Sequence, residues 1–320
     1  MMCAFDAAVS ANRLQVKRNA SQQITSRRIL MPKNLFDDLI SAAPNRRSFL
    51  KKVGFATAAI GTTAIAGTST ATAKMTTEVD ILNFALNLEY LEAEFYTYAI
   101  TGKSITSFGI GIDGRATGEN PATGGATTGG SQVKFNNNDV YSHDIAAEIG
   151  SDERAHVVLL RSALGAAAVA KPNINLNALG IGFGNQTDFL KVARILEDIG
   201  VTAYSGAAGM LKTPGIITTA ARLLAAEAEH VGSVRTQVAK LKIPSSALDG
   251  ADLIPPPSGK PTQFLSINLS NGLAATRTAG QVLYLAFGMK ALVNRGGFFP
   301  NGLNGAITTS SEPATAANLG

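Results

Sequence analysis

Glu153-Arg154-Ala155-His156 followed by Arg161, and Glu227-Ala228-Glu229-His230 followed by Arg235, are two copies of one spacing, Glu-x-x-His-x4-Arg. On a helix, residues three apart leave from the same face, so each Glu and His can reach one metal. The chain has three histidines, and two of them sit in this pattern. A second spacing interleaves with the first. Glu89 precedes Tyr96 by seven residues, and Glu197 precedes Tyr204 by seven. In chain order the sequence is therefore two halves, each Glu-x6-Tyr and then Glu-x-x-His.

The leading glutamates are 64 residues apart in the first half (89 to 153) and 30 in the second (197 to 227). The difference matches a Gly-rich stretch, residues 103–137, with Thr123-Gly124-Gly125, Thr128-Gly129-Gly130 and Asn136-Asn137-Asn138. Such composition predicts a long surface insertion of loops or short strands, outside the bundle and tolerant of shortening. Four helices carry the motifs. The first opens at Thr77, with Asp80 as its capping-box partner, and runs to Thr101 before Gly102. The second spans about 138–163 and the third about 187–211. The fourth opens with Thr213-Pro214, an N-cap and a first-turn proline, and ends before Pro244. Residues 245–320 are loop-rich, with one short helix expected over 279–292, and form an extension packed on the bundle. The expectation is an all-α antiparallel four-helix bundle over 74–244.

The net charge of +5 misleads if taken for the whole chain. Residues 1–73 hold ten Lys/Arg against three Asp/Glu, leaving 18 and 20 in the remainder. The basicity thus belongs to a leader, and the body offers no footprint for a nucleic-acid partner. Cys3, the single cysteine, also lies there, so the body has no disulfide, thiolate site or cysteine nucleophile. Arg46-Arg47-Ser48-Phe49-Leu50-Lys51 precedes a weakly apolar stretch ending in Ala71-Thr72-Ala73. This resembles the twin-arginine signal of proteins exported folded, with cleavage after Ala73. It implies the twin-arginine export machinery as partner and the periplasm or cell envelope as destination. An uncleaved tether is the alternative, although the Gly and Thr content makes a poor membrane span. Residues 1–30 show no pattern of their own, and the leader is complete from Met31.

One Glu from each of two helices, with Glu-x-x-His from each of two others, is the ligand set of carboxylate-bridged helical bundles. These residues resemble the ferritin-like superfamily. Leu88-Glu89-Tyr90-Leu91-Glu92-Ala93-Glu94-Phe95-Tyr96 and Gly296-Gly297-Phe298-Phe299-Pro300-Asn301-Gly302 are similar to its exported, desiccation-related branch. The likeness covers about 75–305. It implies metal ligands at Glu89, Glu153, His156, Glu197, Glu227 and His230, with Glu153 and Glu227 bridging two ions. Glu92, one turn from Glu89, can replace or supplement it. The long insertion is foreign to compact storage ferritins, so no storage cage is inferred.

Four carboxylates would balance two divalent ions, which answers the cost of burying them. Oxygen ligands with two imidazoles suit iron or manganese, and the absence of thiolate argues against structural zinc. Tyr96 and Tyr204 are expected near the centre as hydrogen-bonding or redox neighbours, although packing is the commoner role of such residues. Glu92 and Glu94 are expected to be partly exposed or to stand behind the ligands. His143 is read as a surface residue. Arg161 and Arg235 are expected to pair with acidic residues at helix ends. Two function classes follow. One is a di-metal oxidoreductase acting on ferrous iron or a small oxidant such as peroxide. The other is a non-catalytic stress protein with a structural or vestigial metal site. Either could work as a homo-oligomer.

Overall fold

Helix α1 (Glu78–Thr101) begins where Thr77 and Asp80 cap each other reciprocally, and it ends at Gly102 in the left-handed conformation. Helices α2 (Val140–Leu164), α3 (Gln186–Ala207) and α4 (Pro214–Lys240) complete an all-α, ferritin-like bundle, and α5 (Ala279–Ala286) follows in the extension. This computed structural model describes residues 76–116, 121–258 and 263–320. Arg46, Arg47, the weakly apolar stretch, the cleavage point after Ala73 and Met31 lie outside the described residues. Among the described residues no helix is long and apolar enough to cross a membrane.

Helix ends depart from the sequence expectation for identifiable reasons. Thr213 does not cap α4 with its side chain. Its hydroxyl instead donates to Glu78 Oε2 at 2.7 Å, while the Thr213 and Lys212 amides donate to Glu78 Oε1, tying the start of α4 to that of α1. Asn185 caps α3 by accepting from the Asp188 amide, so that helix starts one residue early. It ends at Ala207 and tightens into a 3-10 turn, Ala208–Met210. Helix α5 stops at Ala286, well short of residue 292, because Met289 and Leu292 take positive φ values of 61° and 58°.

Helix α1 pairs with α2 and α3 with α4, and the two pairs face each other. Helix α1 is buried around most of its circumference. Its two buried asparagines are accordingly spent on backbone groups, as buried polar side chains generally find a partner. Asn83 Nδ2 donates to the Ala167 carbonyl at 3.0 Å, and Asn87 Nδ2 to those of Asn83 and Asn304 at 2.7 and 2.8 Å. Phe95 stacks on Phe189 of α3 with centroids 5.2 Å apart, and Tyr96 meets the same ring edge-on at 5.7 Å. Full burial of such a ring is worth roughly 1.5–3 kcal/mol.

The Gly-rich insertion is not a free surface loop. Ile105, Ile110 and Val133 are buried. Strands β1 (Gly114–Arg115) and β2 (Pro121–Ala122) pair antiparallel. Strand β3 (Thr127–Thr128) pairs in parallel with β4 (Ile174–Asn175), which lies in the α2–α3 connection. Glycine permits this docking. The Gly125 amide donates to the Lys171 carbonyl at 2.7 Å. A Cβ at Gly125 would stand 2.5 Å from Asn173 N and from the Pro172 carbonyl carbon.

Buried arginines fasten the extension. Arg235 pairs with Asp198 at 2.8 Å and donates to the carbonyls of Leu253, Gln263 and Phe264. Arg277 grips Asp249 at 2.7 and 2.9 Å and donates to Thr202 Oγ1. Asp198 lies inside α3, so Arg235 does not pair at a helix end as expected. Among the described residues Arg161 pairs with no carboxylate, donating to the Tyr90 hydroxyl and the Asp113 carbonyl.

Gly125→Ala should destabilise the fold by about 1–3 kcal/mol through overpacking. Gly232→Ala, where an added Cβ meets nothing within 4 Å on α4, should stabilise it by roughly 0.5–1 kcal/mol. Thermal melts of both variants check this. A Gly125→Ala protein that melts with the wild type would mean that the insertion is not held against the α2–α3 connection.

Candidate metal centre

Two overlapping groups of donors lie in the core between the helix pairs. Glu89, Glu153, His156 and Glu227 each offer an atom within 4.8 Å of the others, and so do Glu153, Glu197, Glu227 and His230. Glu153 and Glu227 belong to both groups. His156 Nδ1 stands 3.2 Å from Glu89 Oε2, 3.4 Å from Glu153 Oε2 and 3.7 Å from Glu227 Oε1. His230 Nδ1 stands 3.0 Å from Glu153 Oε1 and 3.5 Å from Glu197 Oε2. The two imidazoles lie 5.9 Å apart, inclined by 26°.

These contacts are close but not aligned as hydrogen bonds. Nine buried donor atoms here have no hydrogen-bond partner among the described residues. They are one oxygen of Glu89, both oxygens of Glu153, Glu197 and Glu227, and Nδ1 of each histidine. Leaving a buried polar atom unsatisfied costs about 1–3 kcal/mol, more when it is charged. So many orphans converging on one place fit a bound cation better than an empty core, and the oxygen-rich donor set fits two hard or borderline divalent ions.

The surroundings have a crossed symmetry. The Tyr204 hydroxyl of α3 donates to Glu89 Oε1 on α1. Tyr96 of α1 is fully buried and faces Glu197 on α3. Each tyrosine thus attends the glutamate of the opposite helix, and α1 and α3 run antiparallel. Burial first, then the facing carboxylates, raises both phenols well above their ordinary range, so both keep their protons. Tyr204 can only donate, which leaves Glu89 Oε2 facing His156 Nδ1 at 3.2 Å.

Glu92 lies outside both four-residue groups yet is almost fully buried, not partly exposed. Burial, reinforced by Glu153, Glu197 and Glu89, pushes its pKa well up, so it is held as the neutral acid. Glu94 is fully buried as well, but it serves another cluster. It pairs with Lys171 at 3.3 Å and accepts from Ser104 Oγ at 2.9 Å. His143 is exposed and contacts Asp144 at 3.0 Å.

Asp152 is the residue that the repeat did not bring out. Its Oδ2 lies 3.3 Å from His230 Nε2, so that a metal ion displacing one imidazole proton would leave the other on Nε2 and free Nδ1 to bind it. The equivalent position in the second half is Ala226, so a search for repeated residues passes over it. Adjacency to Glu153 was the one signal available.

Long helices in facing pairs, with carboxylates and two imidazoles converging between them, define a carboxylate-bundle protein whose core donors could hold metal ions. The sequence model of the ferritin-like domain family matches residues 77–240, and the chain belongs to that family. It is also similar to the desiccation-related protein PCC13-62 of Craterostigma plantagineum, 28% identical over 175 residues, which cover 49% of this chain and 52% of that protein. The chain therefore spans about half the length of that relative.

The protonation pattern yields a pH dependence. Burial, above the opposing pull of His156, raises Glu89 from 4.5 to about 7. Between those values the folded chain binds more protons than the unfolded one, so stability falls as pH rises. Glu92, Glu197 and Glu227, also raised chiefly by burial, act in the same direction. His156 does so above 6.5; burial opposes its proton, but Glu89 and Glu153 outweigh this and push it up to about 12. Glu153 is lowered, because its two imidazoles outweigh burial, and it opposes this trend only below 4.5. Metal-free protein should thus lose stability between about pH 5 and 8, by up to about 1.4 kcal/mol per pH unit for each proton released. Bound divalent ions, which displace those protons, should flatten or invert the slope. Melting curves with chelator and with ferrous or manganous ions test this, and a metal-free protein that gains stability toward pH 8 would contradict it.

Proposed function

We propose that the chain is an exported ferritin-like protein that holds two divalent ions, iron or manganese, at Glu89, Glu153, His156, Glu197, Glu227 and His230. In this reading it oxidises ferrous iron or removes peroxide under stress. The observation that carries it is the convergence of nine unsatisfied buried donor atoms on one point of the core. Glu153 and Glu227, common to both donor groups, are the residues that would serve both ions. Bound iron or manganese would supply one-electron redox chemistry toward a small oxidant. The chain does the rest. Tyr204 orients Glu89, Asp152 orients His230, and Glu92 keeps a proton at the edge of the centre. The stacked rings of Phe95 and Phe189 pack edge-on against Tyr96 and hold it in place.

A second reading, a non-catalytic desiccation or stress protein of the envelope with a structural or vestigial metal site, is favoured by the name of the Craterostigma relative. The twin-arginine leader supports export in both readings, since a protein loaded with metal before translocation has to cross folded. Replacing Arg46 and Arg47 by Lys should then leave the precursor in the cytoplasm, with Lys74 the first residue of the mature form in the wild type.

The purified mature protein should bind close to two ions per chain. His156→Ala and His230→Ala should each lose metal, whereas His143→Ala should not. Elemental analysis and oxygen-electrode assays with ferrous iron or peroxide check this. Two bound ions without turnover would select the structural reading, and absence of iron and manganese with three histidine variants alike would remove the two-metal site.

A further inference from the structure

An apolar cavity of about 20 Å³ lies beside the carboxylate cluster. Helix α1 supplies Leu88 and Leu91 to its walls and α3 supplies Leu196 and Ile199, while Glu92 and Gly200 close the inner end. Its roof is Ala286, the last residue of α5, and Phe298 of the Gly-Gly-Phe-Phe turn. The Phe298 amide donates to the Ala286 carbonyl at 2.9 Å, and the Phe298 carbonyl accepts from the Asn175 amide at 2.9 Å. The roof is therefore pinned both to the end of α5 and to β4. At the inner end, a Cβ on Gly200 would stand 2.5 Å from Glu227 Oε2 and 3.4 Å from Glu92 Oε1. The bare backbone of α3 at Gly200 thus stands between the cavity and Glu227, with Glu92 beside it.

We propose that this cavity is the entry pocket through which dioxygen, a small uncharged oxidant, reaches the centre, and that Ala286 and Phe298 of the extension set what can enter it. The proposal rests on the two-metal reading and adds the route and the selectivity. A site of this volume has room for about one water-sized molecule, but a water needs two to four polar partners to stay. The walls are carbon, and Glu92 is the single charged-type residue among them. An ion would enter only with a large desolvation penalty. A diatomic apolar molecule meets neither obstacle. Hydrogen peroxide, which needs hydrogen bonds at both oxygens, is disfavoured here and reaches the centre by another way. Gly200 is the positioning residue at the inner end, since any side chain there would displace Glu227 before it blocked the pocket.

The test has two arms. Crystals of the full mature chain under xenon pressure should show xenon between Leu91, Leu196 and Phe298, with or without metal, and Ala286→Val should abolish it. In the ferrous-loaded protein, Ala286→Val should lower the second-order rate constant for dioxygen by roughly tenfold. Iron content and the rate with hydrogen peroxide should stay at wild-type values. Leu88→Phe, at the half-buried outer end, should repeat the pattern if the first variant folds poorly. Absence of xenon from the wild-type pocket overturns the proposal, and so does equal slowing of both oxidants or an unchanged dioxygen rate in a variant that has lost xenon. A wild type that takes up xenon but binds no iron would instead refute the two-metal reading.

Discussion

Carboxylates repel one another most strongly where water is absent, and this chain brings Glu89, Glu153, Glu197 and Glu227, all with almost no exposed surface, into one space. Nearly everything else in the bundle can be understood as a response to that repulsion. The two imidazoles supply positive charge from within, so Glu153, which faces both, stays ionised while its neighbours are driven toward the neutral acid. Glu92, with no imidazole in direct contact, takes up a proton and adds no fifth negative charge. A hydrophobic core of the same volume would be easier to fold. That the helices are committed to so costly an arrangement is the strongest physical reason to regard the centre as functional.

The crossed tyrosines make the two halves nearly equivalent, and Asp152 breaks that equivalence. His230 has a carboxylate behind it, whereas Ala226, the residue matching Asp152, has no side chain to offer His156. One imidazole is therefore oriented and made more basic from behind, while among the described residues the other faces glutamates. Two ions in such a centre would sit in unlike fields. That is a useful property where one is to be retained and the other to turn over.

Much of this was legible from residue spacing. The repeated Glu-x-x-His and Glu-x6-Tyr, with ordinary end signals such as Thr77 and Gly102, were enough to place four helices and to single out the residues that now lie together. What escaped was tertiary. Thr213 has the residue type of an N-cap, and only the neighbouring helix reveals that its hydroxyl goes to Glu78. Glycines at 114, 125 and 130 read as looseness in one dimension, but they are close approaches in three. Arg161 and Glu94 carry charge, which by itself does not say whether the partner is a carboxylate, a lysine or a backbone carbonyl. Glu92 and Asp152 stand outside the repeat, so the strategy that found the other residues gave them no weight.

Each donor group takes three members from one helix pair and one from the other: Glu89, Glu153 and His156 with Glu227, and Glu197, Glu227 and His230 with Glu153. Neither hairpin alone can assemble a complete set, though each already holds most of one. The last donor of each set therefore arrives only when the hairpins dock, which would make affinity for a divalent ion a direct gauge of that docking step. A chelator would then act first on the seam between the hairpins and only afterwards on the helices. Amide exchange should register this as two separable opening events, with the α1–α2 and α3–α4 contacts outlasting the contacts between them.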